Sequence, residues 1–158
     1  MRILLVAAAL AAVSLAGCGK KEESAKPSVT ATGEGYTARS KDGTVSVVTG
    51  DAAGKAKVPD FAPLYPGARI DSAMDGIGND QAHGGTLVYK VDASPEKVVD
   101  FYKEKASAGG FKTEMDSNMG AAHMFAAKDE ASGRALQVIA SGAGGGASVQ
   151  VIWAAKGR

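Results

Sequence analysis

The chain has 158 residues, 45% hydrophobic and 22% charged, with 21 glycines, 5 prolines, one cysteine and one tryptophan. That composition suits one small globular domain with a flexible addition, and it excludes a collagen, a disulfide-stapled scaffold and a multi-pass membrane protein. The 18 basic and 17 acidic residues leave a formal net charge of +1, too weak a field to hold nucleic acid or another polyanion.

The N-terminus reads as a leader. Met1-Arg2 is a short cationic start, and Ile3 to Val13 is an unbroken apolar run of 11 residues. A bilayer span needs about 20 such residues, so the run is too short to stay in a membrane and has the layout of a secretory signal. Leu15-Ala16-Gly17-Cys18 follows. This tetrapeptide resembles the lipobox of bacterial lipoproteins: an aliphatic residue, two small residues and a cysteine. The resemblance implies a signal peptide over 1–17, cleavage between Gly17 and Cys18, a diacylglyceryl group on the Cys18 thiol and acylation of the new amino group. Each buried CH₂ of such chains adds about 0.8 kcal/mol, so two or three chains anchor stably. Gly19, where enterobacterial lipoproteins kept in the inner membrane carry Asp, implies the outer membrane, with the domain facing the periplasm. Cys18 is the sole cysteine, so disulfides and cysteine-based metal or redox sites are excluded.

Residues 18–57 read as a lipidated cysteine and flexible tether. The run Lys20 to Ser28 is charged, small and unpatterned, and cannot bury enough apolar area to offset chain entropy. As a coil, residues 19–57 would span roughly 35 Å. Within it, residues 36–49 carry a hairpin signal, Asp42-Gly43 between two alternating arms. With that turn, Ala38 faces Val47 and Ser40 faces Val45. Two strands alone are marginal, so the hairpin is expected to dock on the domain.

Residues 58–158 read as a small α+β domain. Val58 to Gly67 holds three prolines and is extended, with Phe61, Leu64 and Tyr65 spaced to plug a core edge. A strand follows from Arg69 to Met74, with Ile70 and Met74 on one face. A loop from Asp75 to Gly85 leads to a second strand, Thr86 to Val91. Ser94-Pro95 opens a helix as N-cap and first-turn proline; Val98, Phe101, Tyr102 and Ala106 form its apolar stripe, and Gly109-Gly110 closes it. Four alternating segments end the chain, Phe111/Thr113/Met115, His123/Phe125/Ala127, Leu136/Val138/Ala140 and Val149/Val151/Trp153, joined by turns at Ser117-Asn118, Asp129 to Gly133 and Gly142 to Gly146. The architecture is β-β-α-β-β-β-β, one helix on a mainly antiparallel sheet with one wet face. Leu64-Tyr65-Pro66-Gly67-Ala68, Ser94-Pro95-Glu96, Val99 to Lys105 and Gly110-Phe111-Lys112 resemble a small domain of uncharacterised proteobacterial lipoproteins. That resemblance covers most of 58–153 and implies fold and location, without an activity.

Chemistry is sparse. His83 shares its loop with Asp75, Asn79 and Asp80, short of the fixed three or four ligands of a zinc site. His123 falls in strand phase with Phe125 and has no placed catalytic partner. Gly142 to Gly146 lacks the Gly-Lys-Ser/Thr and helix of a phosphate cradle. Glu96, Asp100 and Glu104 form an acidic line on the solvent side of the helix. No catalytic residue, metal or cofactor is called for, and an unrecognised enzyme is the weakest reading. The expected function is a non-enzymatic envelope lipoprotein, held to the membrane through Cys18, that binds or supports an envelope protein partner. The alternative is a small-ligand or lipid binder walled by Phe61, Leu64, Tyr65, Met115 and Trp153. Cys18→Ser should release the protein from membranes, and a variant that still sediments with them after a high-salt wash overturns the anchor.

Overall fold

The computed structural model describes residues 27–157. The signal peptide, the cleavage point between Gly17 and Cys18, and the lipid site on Cys18 lie outside the described residues.

Nine strands form one sheet: β1 (Ser28–Thr32), β2 (Gly35–Ser40), β3 (Gly43–Thr49), β4 (Arg69–Gly78), β5 (His83–Val91), β6 (Lys112–Asn118), β7 (Ala122–Asp129), β8 (Arg134–Ala143) and β9 (Gly146–Ala155). One helix, α1 (Pro95–Ala108), joins β5 to β6, and a 3-10 helix, Gly50–Lys55, follows β3. The spatial order is β1-β2-β3-β4-β5-β9-β8-β7-β6, with every neighbouring pair antiparallel. The α+β class and the expected series from Arg69 onward are thus present, and the last strand lies beside β5 at the sheet centre.

The segment 28–57 is not a tether. Three of its stretches extend the sheet, and β3 pairs with β4 from Gly43↔Gly78 to Thr49↔Ser72. The hairpin docks, but two residues out of the expected register: Ala38 faces Val45 and Ser40 faces Gly43, leaving Lys41-Asp42 as the loop. Gly43 is a strand residue because β4 passes against it. An ideal Cβ there would stand 2.3 Å from the Ile77 carbonyl oxygen, and its φ is +146°.

The long expected loop at 75–85 shrinks to Asn79–Ala82, since β4 and β5 run on through Gly76, Gly78, Gly84 and Gly85. The turn expected at Ser117-Asn118 falls at Met119 to Ala121, where Gly120 takes φ +76° and its N–H donates to Asn118 Oδ1 at 2.9 Å. Gly144 and Gly145, both at positive φ, make the two-residue turn between β8 and β9.

Two bulges change which face two methionines occupy. The register slips between Ile70 and Ser72, so Ile70 points to the helix side and Met74 to the opposite side. It slips again between Thr113 and Met115, and Met115 likewise leaves the helix side. The expected pairings of Ile70 with Met74, and of Thr113 with Met115, on one face are therefore corrected.

The helix forms where its end signals stand. Ser94 Oγ accepts from Lys97 N–H at 3.4 Å, and Pro95 occupies the first turn. At the C-terminus Phe111 N–H donates to the Ala106 carbonyl and Gly110 N–H to that of Ser107, the paired bonds of a Schellman ending with Gly110 at φ +78°. Val98, Val99, Tyr102 and Ala106 are buried; Phe101 is half-buried at the edge of that stripe.

The core lies between this helix and β5–β9, with Tyr89, Phe125, Leu136, Val138, Val149 and Val151 fully buried. One polar link crosses it, Tyr89 Oη to Tyr102 Oη at 3.0 Å. Burial pushes both phenols up, Tyr102 to about 12. Tyr102→Phe strands the Tyr89 hydroxyl and should cost about 1–3 kcal/mol in a urea melt. The double change with Tyr89→Phe removes both partners and should recover most of that loss; a double variant as unstable as the sum of the singles would show that the pair is not coupled.

Candidate functional site

The helix packs on β6 to β9, while the 3-10 helix packs on β3 and β4. Between them the helix-side face of β3, β4, β5 and β9 carries small residues in register, Ser46 beside Asp75 and Asp75 beside Gly85, with Gly85 beside Trp153. Gly85 is the permissive position. A Cβ there would lie 2.7 Å from the Trp153 ring and 2.6 Å from the Met74 carbonyl oxygen, so its absence lets the indole lie across β5.

The result is a cleft of about 330 Å³, lined chiefly by Val48, Ala56, Ala73, Leu87 and Trp153. Its polar rim is Ser46, Lys57, Asp75 and His83. His83 stands edge-on to Trp153, ring centroids 4.7 Å apart at 87°, and His83 Nε2 lies 2.7 Å from Asp75 Oδ1. Both side chains are about half exposed, so this is a wet rim on a dry floor.

The far wall is buttressed. Phe61 meets Trp153 edge-on at 6.2 Å and stacks on Phe111 at 5.7 Å. The Arg134 guanidinium lies 5.4 Å from the Phe61 ring and 4.9 Å from Phe111. Its Nη2 donates to Asp129 Oδ2 at 2.7 Å and to the Gly109 carbonyl at the helix end at 3.4 Å. Asp129 also accepts from the Ser132 hydroxyl and backbone N–H. These donors, Ser132 first and Arg134 next, hold its carboxyl down to about 2.

Of the five expected wall residues, Trp153 lines the cleft and Phe61 supports it. Leu64 and Tyr65 pack against the core, Tyr65 on Phe101 at 5.1 Å. Met115 is on the other face of the sheet. Asp75 and His83 are brought together; Asp80 instead accepts from Ala82 N–H and closes its own turn. Among the described residues no three His, Cys, Asp or Glu side chains are grouped to hold a metal ion. His123 is a half-buried strand residue paired with Ala140. The Gly142–Gly146 stretch is a hairpin. On the acidic helix line, Asp100 lies 3.6 Å from Lys103, which reaches on to Asp116 at 2.6 Å. Val48, Ala56 and Lys57 are absent from the expected site because they fall in the stretch taken for tether; the alternation Thr44/Ser46/Val48 was their one available signal.

A START domain-like family model matches residues 70–152 of the chain. The chain belongs to the START domain-like family. No curated protein and no solved structure shows significant similarity to it. The START domain-like match supplies Ala73, Asp75, His83 and Leu87 of the cleft. Val48, Ala56 and Lys57, which close it from the side, precede the matched residues, and Trp153 follows them by one position. No helix among the described residues is long and apolar enough to cross a membrane.

Asp129 titrates from 3.8 in the unfolded chain to about 2 in the fold. Its depressed value makes its contribution to stability complete above the unfolded pKa and lost as pH falls through the folded one. The stability gap between the protein and Asp129→Asn should therefore be constant near neutral pH and close between pH 3.8 and about 2. A gap unchanged across that window in acid melts would detach Asp129 from the Arg134 buttress.

Proposed function

We propose that this chain is a non-enzymatic envelope lipoprotein that takes up a small amphiphilic ligand in the cleft under its 3-10 helix, anchored by lipid on Cys18 to the periplasmic face of the outer membrane. The observation that carries the reading is the cleft itself. It is an apolar hollow of about 330 Å³ with the single tryptophan in its wall and a His-Asp pair and a lysine on its rim. Concave apolar sites with a few convergent polar groups are the usual form of ligand sites, beginning near this size. The START domain-like membership supports the same reading, since it suggests a fold that binds ligands or lipids.

The volume bounds the ligand. A hollow of about 330 Å³ lies at the small end of ligand sites, which run from about 300 to 1,000 Å³. That fits a medium-chain amphiphile or the end of one acyl chain, and is far too small for a whole diacyl lipid. The apolar tail would lie on Leu87 and Trp153, and the polar end would meet Lys57, Asp75 and His83 at the rim. The envelope anchor sets where the ligand is met; an envelope protein partner could receive it.

Decanoate is a suitable probe, and Trp153 reports on it without a label. Titration should give a saturable change in tryptophan fluorescence. Val48→Phe, which grows into the cleft from β3, should weaken the response at least about tenfold, or 1.4 kcal/mol, while the thermal melt stays cooperative. A change that never saturates, or equal affinity in the folded Val48→Phe variant, overturns the reading.

A further inference from the structure

The second face of the sheet is bare among the described residues. The helix, the 3-10 helix and the coil from Ala56 to Ala68 all pack on the other side. Strand partners in register share a face, so the bare side can be followed across the molecule. One row runs Val47, Met74, Thr86, Ile152, Gln137, Ala126 to Met115. The next contains Val88, Gln150, Ile139 and Met124. Neither row carries a charge, although 22% of the chain is charged. The charged side chains of this face stand at its margins: Arg69 and Lys90, partners in register, with Asp71 at 3.3 Å from Lys90 toward one end, Lys112 and Lys128, partners in register, toward the other, and Glu114 at the bulge of the edge strand β6, beside Ala126, Ala135 and Gln137.

A solvated sheet face normally alternates polar residues outward. Here the outward positions are Val, Ile, Met and Ala with uncharged Thr and Gln. Both bulges act in the same direction, turning Met74 and Met115 out, where each is 43% exposed. Val45 and Tyr36 on β3 and β2 continue the surface at 40% and 46%.

We infer that this face is the interface of a dimer, two copies packed sheet on sheet. The occupant follows from area and charge. Nine strands at about 4.8 Å spacing and about seven residues of each at 3.4 Å make a face of roughly 900 Å², against about 800 Å² taken from each partner in a stable interface. A surface whose central rows are uncharged meets a second copy of itself without like-charge repulsion there, as a two-fold interface requires. Twisted sheets already pack this way in sandwiches, about 10 Å apart and rotated by about 30°. A net charge of +1 sets little repulsion between copies. Toward the β2–β3 turn a hollow of about 310 Å³ opens where Gly76 and Gly78 lack side chains beside Ala38 and Val45, with Arg39 and Asp42 among its lining.

The inference does not rest on the ligand reading, because the cleft opens on the opposite side. It is tested on the mature chain, residues 18–158 with Cys18→Ser so that no lipid drives association. Sedimentation equilibrium across the micromolar range should give twice the chain mass. Val88→Glu on the central strand and Met74→Glu at an exposed position should each yield monomers with an intact thermal melt. Ala31→Pro, which removes an outward N–H from the open edge of β1, should leave the dimer unchanged. A monomer at every concentration overturns the inference. So does a dimer lost with Ala31→Pro but kept in both glutamate variants, which would be an edge-to-edge pair. Binding of the monomer to anionic vesicles, abolished by Met74→Glu, would assign the face to a membrane surface instead.

Discussion

The constraint on which this structure turns is the width of its sheet. Nine strands at about 4.8 Å spacing span about 38 Å, and one helix about 10 Å across shields only part of that width. The helix sits over β6–β9 and reaches β5 through the Tyr89–Tyr102 bond. The remaining helix-side face, over β3 to β5, needs another cover, and the chain supplies one from residues 50 to 68. Ala53 and Ala62 of that cover are wholly buried. It is thin, built of alanines, a lysine pair and a proline-rich coil, so where it meets the helix layer it leaves a seam. The cleft lies along that seam.

Trp153 keeps the seam open and bounded. Its indole occupies the space above Gly85 and presents one edge to His83 and another side to Phe61. Phe61 passes the contact to Phe111, whose N–H closes the helix ending, and Arg134 lies against both rings while holding Asp129 and the Gly109 carbonyl. Cover, helix end and β7–β8 turn are thereby tied through one aromatic–cation stack. The wall on the Trp153 side is held in place, while the rim, with Asp75 and His83 half exposed, faces water.

Much of this fold was legible in the residues, and the failures share a cause. The helix was legible because its signals are local: Ser94, Pro95 and the Gly109-Gly110 pair act on their own backbone. The phases of β7, β8 and β9 were legible because burial on one face enforces alternation without interruption. What a one-dimensional pattern cannot carry is contact between distant segments. Gly76, Gly84 and Gly85 read as loop residues, yet they are strand positions, and at Gly84 and Gly85 the space for a side chain is taken by Trp153, remote in sequence. Gly43 read as a turn residue, yet it makes room for β4. Bulges at Asp71 and Glu114 reversed the phase for Met74 and Met115, so a wall residue of the expected pocket moved to the opposite face. Val48, Ala56 and Lys57 were hidden by the polar composition around them, which is that of an edge hairpin with one open side.

The two covers of the helix-side face also differ in how firmly they are held, and this bears on how anything enters the cleft. The helix is capped by a serine hydroxyl and proline at one end and by a full Schellman pair at the other, with a salt bridge from Lys103 to Asp116 on β6. The 3-10 helix has no side-chain cap and ends on one backbone bond, Ala56 N–H to the Ala53 carbonyl. Short 3-10 turns have poorer hydrogen-bond geometry than α-helices, and segments with few buried contacts open at the low end of the stability scale. Lifting residues 50–57 therefore costs less than displacing the helix, and it uncovers Val48, Ala73 and Leu87 directly. On the reading proposed above, a ligand in the cleft would touch Ala56 and Lys57, so its binding and the closure of this cover would be one equilibrium, each strengthening the other by the same free energy.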